Sequence, residues 1–255
     1  MSENLLTTAE AATFLRASQA SVRRWADAGL LTASRIGRRR ARRFREEDLL
    51  KFMGRSPLGS LPAAVGSLPA AIPGLPRALS FQGMAVRLGS HLASFYGTDT
   101  GRLRVGLPFL RDGLLANQTC LVYAAGVFRD ECLRALKSEK VDVVAAIRAR
   151  LLVLMPVRHC SVDEWIAEFE RLVAEALRER PGPVRFLGDT TSALRGVGSA
   201  RALFQLEQEL TLVVKRLPVV MLCPYDVRAF DGVQVMEALK SHFDTFEYQL
   251  GYFLS

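Results

Sequence analysis

The sequence predicts an α/β protein in two parts: a small helical head with a basic hairpin, and a larger three-layer domain on a mainly parallel sheet. Three observations carry this. Seven of the eleven residues from Arg35 to Arg45 are arginine. The net charge of +8 is segregated, with 12 basic against 6 acidic residues in positions 1–55 and 22 against 20 in the remainder. Beyond residue 80, short apolar runs alternate with amphipathic helical patterns, as in a parallel sheet covered by helices on both faces. An apolar content of 49% supports a substantial core and excludes a disordered chain.

Thr7-Thr-Ala-Glu10 has capping-box spacing and opens a first helix, with Ala11, Phe14 and Leu15 inward. Ser18 caps a second helix, in which Val22 and Trp25 point inward and which Gly29 ends. The segment from about Thr32 to Phe44 suits two strands turning near Gly37 to Arg40. Arg45 begins a third short helix, with Glu46, Glu47 and Asp48 in its first turn, where the helix dipole favours acids. Two short helices and a basic hairpin make a winged helix-turn-helix, a reader of duplex DNA. The basic surplus is the footprint of such a polyanion.

From Gly54 to about Leu79 the composition changes. Gly59-Ser-Leu-Pro-Ala-Ala-Val65 recurs as Gly66-Ser-Leu-Pro-Ala-Ala-Ile72, then more loosely as Pro73-Gly-Leu-Pro-Arg-Ala-Leu79. A proline every seven residues excludes a continuous helix. The segment reads as a semi-extended linker, or alternatively as a docking tract that uses its leucines.

The large domain reads as four strands, at Thr119–Ala124, Leu151–Met155, Pro183–Gly188 and Val219–Cys223. Helical faces surround them: Leu103, Leu107, Leu110 and Leu114; a helix around Phe128–Lys137; Ile166, Phe169, Val173 and Leu177 after the Ser161–Glu164 capping box; Leu203, Leu206, Leu210 and Val213; and Val233–Phe243. In such a sheet, ligands bind outside the carboxyl ends of the strands. The segments expected to converge there are Ala125–Arg129, Arg158–His159, Asp189–Ser192 and Pro224–Asp226. The candidate ligand-binding residues are Phe128, Arg129, Asp189, Thr190, Tyr225 and Asp226, with His91 and Tyr96 closing one side. Ordinary readings stand beside these. Asp189 and Asp226 can cap helices or turns, Tyr225 can be core, His159 a solvated loop residue, and His91-Leu-Ala-Ser-Phe95-Tyr96 a packing helix or strand.

Several chemistries find no support. The strand ending at Ala124 lacks the glycines and Lys-Ser/Thr of a phosphate loop. No Gly-x-Ser-x-Gly nucleophile elbow occurs. His91, His159 and His242 have no metal-ligand spacing with a cysteine or with one another, so neither metal nor cofactor is expected. Cys120, Cys132, Cys160 and Cys223 are widely spaced, and no secretion signal or 18-residue apolar run occurs. The expectation is a cytoplasmic, non-enzymatic protein with free thiols.

Residues 5–53 resemble the MerR/excisionase winged helix-turn-helix in Leu6-Thr-Thr-Ala-Glu-Ala-Ala, Ser21-Val-Arg-Arg-Trp25, Gly29-Leu30 and Arg43-Phe44-Arg45-x-x-Asp48-Leu49. The resemblance implies that Ser18, Gln19, Ala20, Arg23 and Arg24 face bases or nearby phosphates. It assigns Arg38, Arg39, Arg40, Arg42 and Arg43 to the wing. The long dimerising helix of many such proteins is replaced here by the Leu-Pro segment. Residues from about 88 to 250 resemble the MEDS sensory domain. The matching pieces are His91-x-x-x-Phe95-Tyr96, Pro108-Phe-Leu-x-x-Gly113-Leu114, Gly188-Asp-x-x-x-Ala193-Leu194, Leu222-Cys-x-Tyr-Asp226 and Ala238-Leu-x-x-His242. That resemblance implies a RecA-like core without its phosphate loop and names no ligand.

The expected organisation is a DNA-binding domain at 1–55, a linker at 56–80 and an α/β sensory domain at 81–255. The function expected is that of a transcriptional regulator. Its partners are double-stranded DNA, an anionic or nucleotide-like small-molecule effector, and a second copy through the large domain, with no membrane. The alternative keeps the DNA-binding head but makes the large domain an interaction or oligomerisation module without a small ligand.

Overall fold

The computed structural model describes residues 5–15, 19–27, 31–37, 40–54, 75–248 and 250–255. Most of the Leu-Pro repeat, and Ser18, Gly29, Arg38 and Arg39, lie outside the described residues. The chain divides into two compact units, Met1–Gly66 and Ser67–Ser255.

Among the described residues, the first unit is three helices on a small antiparallel sheet. Strand β1 (Leu5–Thr7) runs directly into α1 (Thr8–Phe14), and the expected capping box is present. The Thr7 N–H donates to Glu10 Oε2 at 2.7 Å, and the Glu10 N–H donates to Thr7 Oγ1 at 3.2 Å. These satisfy backbone donors that the helix itself leaves open. Helix α2 (Gln19–Asp27) follows, then the wing strands β2 (Ser34–Ile36) and β3 (Ala41–Arg45), then α3 (Glu46–Gly54). Strand β1 had no signal of its own. It pairs with β3 and places Leu6 opposite Phe44. Ala11, Leu15, Val22, Trp25, Leu31, Phe44, Leu49 and Phe52 are buried.

The second unit begins with a hairpin, β4 (Ala78–Phe81) and β5 (Met84–Arg87), which packs on the domain core. The central sheet has five strands, one more than expected. They are β6 (Ser90–Tyr96), β7 (Thr119–Tyr123), β8 (Leu152–Met155), β9 (Val184–Gly188) and β10 (Val219–Asp226). All pairings are parallel, in the order β6-β10-β9-β7-β8. Helices α4 (Asp99–Leu115), α5 (Gly126–Ser138), α6 (Val143–Arg148), α7 (Val162–Glu179), α8 (Thr190–Val197), α9 (Ala200–Val214) and α10 (Gly232–Ser241) cover the sheet. The connections β6→β7 and β7→β8 run one way across the sheet, while β8→β9 and β9→β10 run back. With right-handed crossovers this puts α4, α5 and α6 on one face and α7, α8 and α9 on the other. The result is the three-layer arrangement the alternation implied.

Strand β6 is an edge strand, and the chain's own last residues cover it. The His91 N–H donates to Asp244 Oδ2 (2.8 Å) and the Ala93 N–H to Thr245 Oγ1 (2.9 Å). The Ser255 N–H donates to the Phe95 carbonyl (2.8 Å). An open edge is a template for unwanted pairing, and this one is occupied.

Arg185, the second residue of β9, is 1% exposed. Its guanidinium donates to Gln118 Oε1 (2.8 Å), the Phe109 carbonyl (3.0 Å) and the Ser80 carbonyl (2.7 Å), and stacks on the Phe109 ring. It ties the β4–β5 hairpin to α4 and to the loop that enters β7. Gly113 makes room for it. A Cβ there would lie 2.5 Å from Arg185 Cδ and 2.7 Å from Cys120 Sγ.

Candidate functional site

In the first unit, α2 buries Val22 and Trp25 and leaves Gln19 and Arg23 exposed. These two are one turn apart, with Arg23 donating to Gln19 Oε1 at 3.1 Å. Ala20 and Arg24 lie on the same helix. Arg40 is exposed at the tip of the wing, where its N–H closes the turn onto the Gly37 carbonyl at 2.9 Å. Arg42 behaves differently from an open wing residue. It is half-buried, and one of its terminal nitrogens donates to both oxygens of Asp27, at 2.5 and 2.7 Å. Arg35 reaches the same carboxylate at 3.2 Å. The Arg42 hydrogen bonds hold the Asp27 carboxyl below the usual carboxylate range. Arg43 is half-buried and donates to the Arg42 carbonyl. Arg23 and Arg40 therefore project into solvent, while Arg42 braces the wing against the end of α2.

In the second unit, the strand ends bring some of the candidates together. The Asp189 N–H donates to the Tyr123 carbonyl at 2.8 Å. Its side chain caps α8, accepting from the N–H and hydroxyl of Ser192, and the Ala125 N–H donates to Ser192 Oγ at 3.1 Å. The Thr190 hydroxyl donates to the Pro224 carbonyl at 2.6 Å. Both residues are buried and stitch the ends of β7, β9 and β10. Burial pushes the Asp189 carboxyl up, against its Ser192 hydrogen bonds. Asp226 is bound by the Arg228 guanidinium at 2.8–2.9 Å, and Arg228 also reaches Asp99 at 2.7 Å. Tyr96 is buried, and its phenol is pushed up by that burial and then by Asp189 and Asp226. Phe128 is buried beneath Arg102, whose guanidinium lies 5.4 Å from the ring centre. Arg129 turns to its neighbour Asp130, and His159 is exposed. The rim thus gathers Tyr96, Asp189 and Asp226 with Arg102, Arg228 and Asp99, three residues that the sequence did not single out.

Replacing Asp189 by alanine is expected to lower stability by about 1–2 kcal/mol, because the helix cap disappears and Ser192 is left without its acceptor. Chemical denaturation measures this. An unchanged midpoint would show that the cap contributes nothing.

His91 and Tyr225 do not join the rim. Both are 0% exposed. Strand side chains alternate between faces, and Cys223 and Tyr225 share the face of β10 that meets α9. There they join His91 from β6, Glu207 from α9, and His242, which follows α10. His91 Nε2 lies 3.3 Å from Cys223 Sγ and 3.2 Å from Glu207 Oε2, and His242 Nε2 is 3.2 Å from the same oxygen. The Tyr225 hydroxyl donates to Glu207 Oε1 at 3.0 Å. Burial raises the Glu207 carboxyl, but His242 and His91 outweigh it and hold the group well below its ordinary range. Burial, followed by His242, pushes His91 down to about 4. Burial drives the Cys223 thiol well up. Among the described residues, His91, Glu207, Cys223 and His242 form the one group whose donor atoms could share a metal ion, all within 4.8 Å of one another. The expectation of no metal-ligand arrangement rested on local spacing, and the fold joins what the sequence separates.

Residues 90–243 match the MEDS family, the methanogen/methylotroph DcmR sensory domain, and residues 5–56 match a helix-turn-helix domain. The chain belongs to the MEDS family. The transcriptional repressor DcmR of Methylorubrum extorquens (strain DSM 6343 / CIP 106787 / DM4) is 34% identical over 249 residues, which are 97% of this chain and 93% of that protein. A KaiC-like protein from Pyrococcus horikoshii OT3 aligns with 55% of this chain and 62% of its own, at 15% identity and a TM-score of 0.45. The MEDS segment contains the rim residues and every donor of the buried cluster, from His91 to His242. No helix among the described residues is long and apolar enough to cross a membrane.

Proposed function

We propose that this chain is a DNA-binding transcriptional repressor whose MEDS domain senses a small molecule and does no catalysis. The observation that carries the reading is a helix-turn-helix head, with Gln19 and Arg23 exposed on α2 and an arginine-rich wing, in one chain with a MEDS domain; we read the head as the MerR/excisionase type. Similarity to a transcriptional repressor along nearly the whole length supports it. Gln19, Ala20, Arg23 and Arg24, together with Ser18, enter the major groove. Arg38, Arg39 and Arg40 follow the phosphates, with Arg43 beside them and Arg42 holding the wing in place. Two copies joined through the large domain present two heads to adjacent half-sites in the cytoplasm.

Phosphate contacts release counterions, so each one steepens the salt dependence. Alanine at Arg38, Arg39 and Arg40 together is expected to weaken binding to all sequences. It should flatten the log–log salt slope by about 0.9 for every phosphate no longer neutralised. Fluorescence anisotropy at several salt concentrations measures it, and an unchanged slope rejects the wing assignment.

The effector binds at the strand-end rim, where Tyr96, Asp189 and Asp226 lie near Arg102 and Arg228 and Phe128 lies under Arg102, with Arg129 and Thr190 on the adjoining helices. The arginines suit an anionic or nucleotide-like molecule. His91 and Tyr225 support this site from beneath rather than touching the ligand. A coupling of about 1–3 kcal/mol between effector and DNA is enough for a switch. A thermal-shift screen with Asp226→Asn and Arg102→Gln as controls tests the site. A ligand whose affinity survives both places the pocket elsewhere.

A further inference from the structure

We infer that His91, Glu207, Cys223 and His242 bind one divalent transition-metal ion, zinc by preference, as a closed four-ligand centre inside the MEDS domain. The inference is independent of what the head binds and of the effector.

The first argument is direction. The His242 Nδ1 lies 2.8 Å from the Ala238 carbonyl, which only accepts, so this nitrogen carries the proton. Thr211 Oγ1 lies 2.9 Å from the carbonyls of Glu207 and Ser241 and donates its single hydrogen there. It can then only accept from His91 Nδ1, 3.1 Å away. With Nδ1 engaged outward in each ring, both imidazoles turn Nε2 inward, the nitrogen that would give its lone pair to a metal. Glu207 Oε2 and Cys223 Sγ face the same point. Four potential metal-ligand atoms converge there, all within 4.8 Å of one another.

The second argument is what the cluster leaves unsatisfied. Glu207 Oε2 and His242 Nε2 are 3.2 Å apart, yet neither has a hydrogen-bond partner. Both are essentially without solvent exposure. A buried polar atom without a partner costs about 1–3 kcal/mol, more when charged. Two such atoms aimed at one point are explained by a cation at that point.

The third argument is size. Zinc sits about 2.0–2.1 Å from nitrogen or oxygen and about 2.3 Å from sulfur, so ligand atoms around a tetrahedron lie roughly 3.3–3.6 Å apart. Three of the six separations are 3.2, 3.2 and 3.3 Å and none exceeds 4.8 Å, so the ligands need close in by only about an ångström around the ion. Two imidazoles, a carboxylate and a thiolate suit a borderline ion and not calcium or magnesium, which take oxygen. The outer partners are also in place. Thr211 and the Ala238 carbonyl orient the two rings, and Tyr225 holds the other carboxylate oxygen.

Binding breaks the Cys223 S–H bond and forms an S–metal bond, and the proton leaves to solvent. Glu207 and the thiolate then neutralise a 2+ ion. Four protein ligands leave no open position, so the ion is structural. It clamps β6, β10, α9 and the end of α10 together.

The test uses the full chain. Protein purified without chelator is expected to carry about one equivalent of zinc by elemental analysis. Stripped protein titrated with Co2+ should develop the visible bands of a tetrahedral ion and a near-ultraviolet thiolate-to-cobalt band. Cys223→Ser should lose the thiolate band, and His242→Gln should lose most of the uptake. Thr211→Val, which leaves all four ligands, should weaken binding about tenfold or more. The wild-type titration stands whether or not a variant folds. Folded wild-type protein that takes up neither Zn2+ nor Co2+ overturns the inference. So does a thiolate band that persists in Cys223→Ser.

Discussion

Alanine at Glu207 is expected to be among the most damaging single substitutions in the protein. Glu207 lies within 3.2 Å of two imidazoles and accepts the Tyr225 hydroxyl, in a region closed to solvent. Removing one partner of a buried charged group typically costs about 3–5 kcal/mol, since the other groups stay buried without it. For a domain of this size that lowers the melting temperature by roughly 10 °C. His159→Ala, at an exposed position, should change it little. Thermal unfolding of the two variants decides the matter, and equal melting temperatures would falsify the cluster's structural role.

Arg185→Met is the second. Methionine roughly preserves the buried volume, so the comparison isolates the hydrogen bonds. Two opposing effects meet here. Burying a guanidinium with no carboxylate partner is costly, and burial indeed lowers the Arg185 pKa. An apolar replacement removes that cost. It also leaves the Ser80 carbonyl and the oxygen of Gln118 without this donor, and takes from the Phe109 carbonyl the bond it makes besides its own helix ladder. At about 1–3 kcal/mol for each group left unpaired, the loss exceeds what an isosteric apolar side chain returns, and a net destabilisation of about 3 kcal/mol is expected. Urea unfolding measures it. A variant as stable as the parent would mean that these acceptors find water instead.

The first unit was legible because its signals are local. Thr7 and Glu10, three apart, define a cap, and Val22 and Trp25 lie one turn apart on the buried face of α2. A run of arginines around Gly37 marks a turn between strands. Strand β1 escaped because three residues give no period, and its partner is some forty positions away in β3. Strand β6 was left between helix and strand because Ser90, His91 and Ser94 interrupt its apolar pattern, although the fold buries all seven residues. The buried cluster was illegible for a different reason. Metal spacing rules look within a short window, whereas His91 and Glu207 are joined only by the packing of β6 against α9. One signal was available: Glu207 lies on the apolar stripe defined by Leu203, Leu206, Leu210 and Val214, where a carboxylate needs partners. Tyr225 was assigned to the rim by its nearness to the strand end. Counting strand parity from Cys223 would have sent it inward.

The bond between Asp27 and Arg42 has a thermodynamic consequence for recognition. Helix α2 and the wing are fastened to each other before any duplex arrives, so their mutual orientation is settled during folding. Immobilising one against the other is then no part of the association entropy. If α2 and the wing dock as proposed, selectivity follows as well: a groove whose width or twist does not fit must either break this half-exposed pair, at about 0–1 kcal/mol, or bend at its own sequence-dependent cost.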